Sequence, residues 1–146
     1  MRRVTVLVGF LLFCGSVSAK QCTRLDANQA DAVLDYLDSW KNVHLAYTQY
    51  LRCEANLGIF EGFSNSIAHL LQNDWARLGD LSGIVRSDPH FETFVLRHVD
   101  ETMADEDRRP IDEFAKEHCP PEAVSFCTKL RERISSLGPW RQGNAT

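Results

Sequence analysis

A chain of 146 residues with 16 Lys+Arg against 20 Asp+Glu, a formal charge of −4, has no clustered basic stripe to neutralise phosphates, so charge excludes nucleic acid as a partner. An apolar content of 44% with 8 Phe argues against disorder and suits one domain around a single core.

In chain order, Arg2 and Arg3 form a positive start, Val4 to Phe13 a short apolar run, and Val17-Ser18-Ala19 a small-residue cleavage site. Residues 1–19 therefore read as a cleavable signal peptide, with the mature chain starting at Lys20. The apolar run falls well short of the roughly 20 residues a bilayer-crossing helix needs. No later segment is long or apolar enough either, so no stable membrane insertion is expected. Cys14 would be the acylated residue of a lipoprotein, but Phe13 stands where a small residue belongs, and export without lipid is the preferred reading. The paired arginines also lack the serine context of a twin-arginine signal. Without Arg2 and Arg3, the 16 Lys+Arg become 14 against 20 Asp+Glu, a mature charge near −6.

Export places Cys22, Cys53, Cys119 and Cys127 in an oxidising compartment, where four cysteines read as two disulfides. Of the three pairings, Cys119 with Cys127 is favoured because it would lock a corner around Pro120-Pro121. Cys22 with Cys53 would then tie the N-terminal segment back to the end of a helix. Closing that longer loop stabilises by roughly 3 kcal/mol if chain entropy dominates. With no CxxC pair, a zinc site is not indicated.

Periodicity is helical throughout and predicts an all-α fold, a compact bundle of five or six helices over residues 20–138 with a flexible tail at 139–146. Val33, Leu37, Trp40, Tyr47 and Leu51 recur by threes and fours, predicting one helix from Asn28 to about Leu51, capped by Asp26 or Asn28. A second helix carries Phe60, Phe63, Ile67, Leu70 and Leu71. Asp74 caps a third with Trp75, Leu78, Leu81 and Val85. Ser87-Asp88-Pro89 opens a fourth, bearing Phe91, Phe94, Val95, His98 and Val99. Asp105 to Arg109 reads as a polar joint before Pro110 starts a fifth helix with Ile111, Phe114 and His118. The last begins near Pro121, buries Val124, Cys127, Leu130 and Ile134, and closes at Gly138.

Chemistry is sparse. His98 with Asp100 and Glu101 is the sharpest candidate for a metal site or a base with its orienter. Two ligands are too few, His90 lies too far round the helix to help, and His98 sits in an apolar stripe. A buried, hydrogen-bonded histidine is the simpler account. Gly62-Phe63-Ser64-Asn65-Ser66 echoes the nucleophile elbow, yet no strand precedes it and small-residue packing explains it. Glu61 reads as solvent-facing rather than as a glycosidase acid. Eight acidic residues between Asp100 and Glu117 form a solvated face. Asp105, Glu106, Asp107, Asp112 and Glu113 are its candidate docking residues for a basic partner, with Trp40, Trp75, Tyr36 and Tyr50 as possible aromatic anchors.

The stretch from Cys53 through Gly62-Phe63-Ser64 to Phe94-Val95-Leu96-Arg97-His98-Val99-Asp100 and on to Cys119-Pro120 resembles a group of small exported bacterial helical proteins of undefined function. Cys53, Phe60, Gly62 and the two-disulfide plan are also similar to periplasmic immunity proteins that neutralise cell-wall amidases delivered by type VI secretion. The resemblance implies a periplasmic setting and a binding role, and it carries over no functional residue. The expectation is an exported, non-enzymatic protein-binding module without cofactor, acting as an inhibitor or immunity protein. The rival readings are a carrier of an apolar ligand in a pocket of Phe60, Phe63, Phe91, Phe94 and Phe114, and a metal-dependent enzyme using His98 and Glu101.

Overall fold

The computed structural model describes residues 21–140, so the expected signal peptide and cleavage site, Cys14, Lys20 and the end of the expected tail lie outside the described residues. Among the described residues there are seven α-helices and four short 3-10 turns and no strand.

Helix α1 (Arg24–Val33) starts at Thr23, ahead of the expected caps. The Thr23 hydroxyl accepts from the Asp26 amide at 3.1 Å while the Asp26 carboxylate accepts from the Thr23 amide at 3.0 Å, a reciprocal capping box. The single helix expected from Asn28 to Leu51 is in fact two. A 3-10 turn at Leu34–Tyr36 ends the first, and α2 (Trp40–Tyr50) restarts after an extended Ser39 whose hydroxyl accepts from the Asn42 amide at 3.3 Å. Val33, Leu37 and Trp40 keep their spacing of three or four across the break and still turn inward, so periodicity alone gives no sign of it. This split accounts for seven helices in place of six.

After a turn at Leu51–Cys53, α3 (Leu57–Asn73) is capped by the Asn56 side chain, which accepts from Gly58 N at 3.0 Å. It packs against α1, α2 and α6, with Ile59, Phe63, Ile67, Leu70 and Leu71 buried. A turn at Trp75–Arg77 leads into α4 (Leu78–Ser87), and Pro89 occupies the first position of α5 (Pro89–Arg97) as expected. The carboxylate of Asp88 makes no side-chain cap there and contacts His44 Nε2 at 3.0 Å instead.

The polar joint before Pro110 is also corrected. Asp105 to Arg109 form the first turns of α6 (Asp105–Glu117), and Pro110 lies inside that helix. Asp105, Glu106 and Asp107 suit the positive end of the helix dipole, and Arg108, read from sequence as joint, is buried and pairs with Asp105. Pro110 removes one helical hydrogen bond, a cost of about 3 kcal/mol in a helix interior, and the helix runs through it nonetheless. A turn at Pro121–Ala123 precedes α7 (Val124–Ser136), which packs along α6. Cys127, Leu130 and Ile134 are buried as expected, but Val124 is 56% exposed and Leu51 41%, and His118 is exposed too. Gly138, at φ +94°, takes the left-handed conformation that lets the chain leave the helix.

The favoured disulfides form, Cys22 to Cys53 and Cys119 to Cys127, with Cα atoms 4.9 and 6.2 Å apart. Among the described residues, no helix is long and apolar enough to cross a membrane.

Candidate functional site

Two places draw polar or apolar chemistry together. The first is buried. His98 caps the C-terminus of α5 with 0% exposure, walled by Phe60 and Phe94 with ring centroids each 4.5 Å away and by Phe63 at 5.8 Å. Its Nδ1 lies 2.8 Å from Ser64 Oγ on α3, and its Nε2 lies 3.1 Å from Glu54 Oε1 in the turn after Cys53. The Nε2 atom has no well-aligned hydrogen bond, so the Glu54 contact is a close polar approach rather than a linear bond. Arg97 closes the far side, pairing with Glu54 and lying over the Phe94 ring at 5.7 Å. Burial pushes the Glu54 carboxyl up, but the close approach of the His98 ring and the Arg97 charge together outweigh it and hold the group below its ordinary value.

Sequence reasoning singled out Ser64 and His98 separately and missed Glu54, which is what joins them. The Ser64 hydroxyl and the Glu54 carboxylate thus meet the two nitrogens of one ring. Serine, histidine and carboxylate in contact form the outline of a nucleophilic relay, but Ser64 sits in mid-helix, where the neighbouring amides are committed to helical bonds and offer no oxyanion donors. The arrangement can lock the end of α5 onto α3 and the Cys53 turn; it is not built to stabilise a tetrahedral intermediate.

The remaining expected pairings do not assemble. Glu101 is exposed while His98 is sealed, and Asp100 turns to its own loop, accepting from the Thr102 amide at 2.8 Å and hydroxyl at 2.6 Å. Among the described residues no three His, Cys, Asp or Glu are grouped so as to hold a metal ion. Glu61 and His90 face solvent. Phe63, Phe91 and Phe94 pack on one another, with centroids 5.1 Å apart for Phe63 and Phe94, and Phe114 stacks on Trp75 at 5.7 Å.

The elbow-like segment has packing roles. A Cβ on Gly62 would stand 2.4 Å from Leu34 Cδ1, so glycine is what lets the Leu34–Tyr36 turn settle on α3. Ser66 Oγ donates back to the Gly62 carbonyl at 3.0 Å.

The second place is that turn's outer face. Val33, Tyr36 and Leu37 on one side and Leu45, Ala46 and Tyr50 of α2 on the other, with the polar Asn42 and Gln49 among them, form a groove of about 260 Å³. Asn42 holds the turn in place, its Nδ2 donating to the Tyr36 carbonyl at 3.1 Å and to Asp38 Oδ1 at 2.9 Å. Tyr36 stands 70% exposed and Leu45 48%. Of the four expected aromatic anchors only Tyr36 projects. Trp40 is in the core, Tyr50 is half-buried, and Trp75 donates from Nε1 to the His118 carbonyl at 2.9 Å.

On α6 the expected acidic surface is partly committed. Asp105 pairs with buried Arg108 and Asp112 with Arg131 at 3.3 Å; Glu106 and Glu113 project, and Asp107 is half-buried.

The described chain is thus an all-α bundle closed by two disulfides, with a polar cluster around the buried His98 and an open, partly apolar groove. No protein-family model matches it, and no curated protein or solved structure does.

Proposed function

We propose that this protein is an exported, non-enzymatic protein-binding module that works by contact in the periplasm, as an inhibitor or immunity factor. The observation that carries this reading is the distribution of exposed large apolar side chains. Leu25, Tyr36, Leu45, Leu51 and Leu57 all belong to the segment from α1 to the start of α3, while only Val124 and Trp140 are exposed elsewhere among the described residues. Scattered single exposures need no explanation, but Tyr36 and Leu45 line one groove, and exposed apolar side chains gathered in this way mark an interaction surface. That region is pinned by the Cys22–Cys53 bridge and by the Arg52–Asp26 ion pair at 2.7 Å, so its surface is held ready without an ordering cost on binding. The disulfides fit an oxidising compartment.

The test is a cross-linked pull-down with the tagged, oxidised protein from the exported fraction of the producing cells, read by mass spectrometry. A single dominant partner is expected. No partner above background would remove the binding role, and hydrolytic turnover dependent on Ser64 would replace it with an enzymatic one.

A further inference from the structure

We infer that the groove between the Leu34–Tyr36 turn and α2 is the docking site for a cationic segment of a partner protein, one bulky apolar residue of which enters the groove while flanking Lys or Arg residues meet the acidic turn. The inference rests on the binding role proposed above and names its site and its partner's chemistry.

Charge decides the occupant. Between Arg24 and Arg52 the chain holds Asp26, Asp31, Asp35 and Asp38 and one basic residue, Lys41. Asp26 is neutralised by Arg52. Asp31 and Asp35 are exposed and make no ion pair or hydrogen bond among the described residues, and Asp38 accepts from the neutral Asn42 amide, which leaves its charge uncompensated. Asp35 and Asp38 line a second depression with Leu34 and His69, and Asp35 directly precedes the groove residue Tyr36 in the chain, so acidic side chains flank the groove. A second copy of this chain would bring like charges together, and an anionic membrane would be repelled. A cationic protein segment satisfies both surfaces at once.

The groove is also better prepared than the acidic helix α6. Tyr36 provides an exposed aromatic of the kind that dominates binding energy, on a turn fixed from one side by Asn42 and from the other by the Leu34–Gly62 contact. Beside α6 the exposed aromatic is Trp140, which is already covered by Arg108 and Arg109, 5.4 and 5.8 Å from its ring. Asp105 and Asp112 there have basic partners of their own.

The experiment titrates the oxidised protein with two fluorescein-labelled helical peptides that each present one Leu, flanked by Lys in one and by Glu in the other, while backbone amide shifts are followed by NMR. The Lys-flanked peptide is expected to bind and to shift the amides of Tyr36, Leu45 and Ala46, and the Glu-flanked peptide to leave them unchanged. Leu45→Glu should abolish binding, and Asp35→Lys should weaken it about fivefold, with both variants keeping the wild-type circular dichroism. Equal binding of both peptides, binding of neither, or shifts confined to α6 would overturn the groove. Groove shifts that grow with protein concentration alone would overturn it in favour of a second copy. The pull-down separates the two proposals. A partner still captured by Leu45→Glu and Asp35→Lys would sink the groove and keep the binding role, whereas no capture by the wild-type protein would remove the role itself.

Discussion

The segment from α1 to α2 and the hairpin of α6 and α7 are each closed by a disulfide and each rich in aspartate, yet they use their charges in opposite ways. In the hairpin Asp105 is answered by Arg108 and Asp112 by Arg131, Lys129 pairs with Glu92 of α5, and Arg133 Nε donates to the Val99 carbonyl at 2.8 Å, while Glu106 and Glu113 project. In the first segment Asp31 and Asp35 have no answering cation, and Tyr36 and Leu45 stand out beside them. Density of charge along a sequence therefore does not measure the charge available to a partner. What matters is how much the tertiary contacts leave unpaired.

The largest effect should come from the cluster that joins the Cys53 turn, α3 and α5. His98→Ala empties a fully buried site and strands Ser64 and Glu54 at once, so urea unfolding should show a loss of about 4 kcal/mol. A loss below about 1 kcal/mol would mean that the cluster adds nothing to the lock.

The bridges come next and should differ from one another. Cys22 and Cys53 are separated by 31 residues and Cys119 and Cys127 by 8. Chain entropy assigns about 3.5 kcal/mol to the longer loop and about 2.5 kcal/mol to the shorter. Paired Cys→Ser variants, melted under oxidising conditions, should fall in that order. The reverse order would show that native contacts at the Pro120-Pro121 corner outweigh loop length, and an unchanged melt of the Cys119 and Cys127 variant would contradict that bridge.

Gly62→Ala has two opposed consequences. Alanine raises helix propensity by about 1 kcal/mol, and its Cβ must push aside Leu34, which costs roughly twice that. A net loss of about 1 kcal/mol is expected, with amide shifts at Leu34 and Tyr36 and weaker binding in the groove. Neutral stability with an unmoved Tyr36 would show that the Leu34 side chain yields freely.

Acid titration gives a graded test. Glu54 is held below its ordinary value of 4.5 in the fold, as is Asp88, beside the His44 ring, below 3.8. A carboxyl depressed in the native state adds stability above its unfolded value and gives it up as pH falls through the folded one. Stability should therefore decline from about pH 4.5 downward, and Glu54→Gln should flatten that decline while lowering stability at neutral pH. An acid limb identical in wild type and Glu54→Gln would place the linkage elsewhere. The smallest effect belongs to the exposed Asp112–Arg131 pair, whose removal by Asp112→Asn should cost below about 0.5 kcal/mol.

Much of the fold was legible because its signals are local. Pro89 at the start of α5, Gly138 after α7 and the inward stripes of α3 and α5 each depend on residues within a few positions, and the disulfide pairing the fold adopts was the one chain geometry favoured. The errors fell where a local signal was overridden. Ser39 broke a helix whose apolar spacing continued unchanged, and Pro110 was carried inside α6 by acidic residues in the first turn and a buried Arg108. Of the candidate site, Tyr36 was named among four aromatics with nothing to choose between them, and the groove beside it was invisible.

The sequence by itself determined the helical class, the charge balance and a count of four cysteines beyond the expected signal peptide that suffices for two bridges, since composition, periodicity and cysteine count are properties of the chain in any conformation; which cysteines pair was settled by the fold. Only the tertiary structure decided that His98 meets Ser64 and Glu54, which lie 34 and 44 positions away, and that Asp35 stays free while Asp112 does not. Packing sets these outcomes, because which side chains meet, and which are left facing water, depends on how the helices cross.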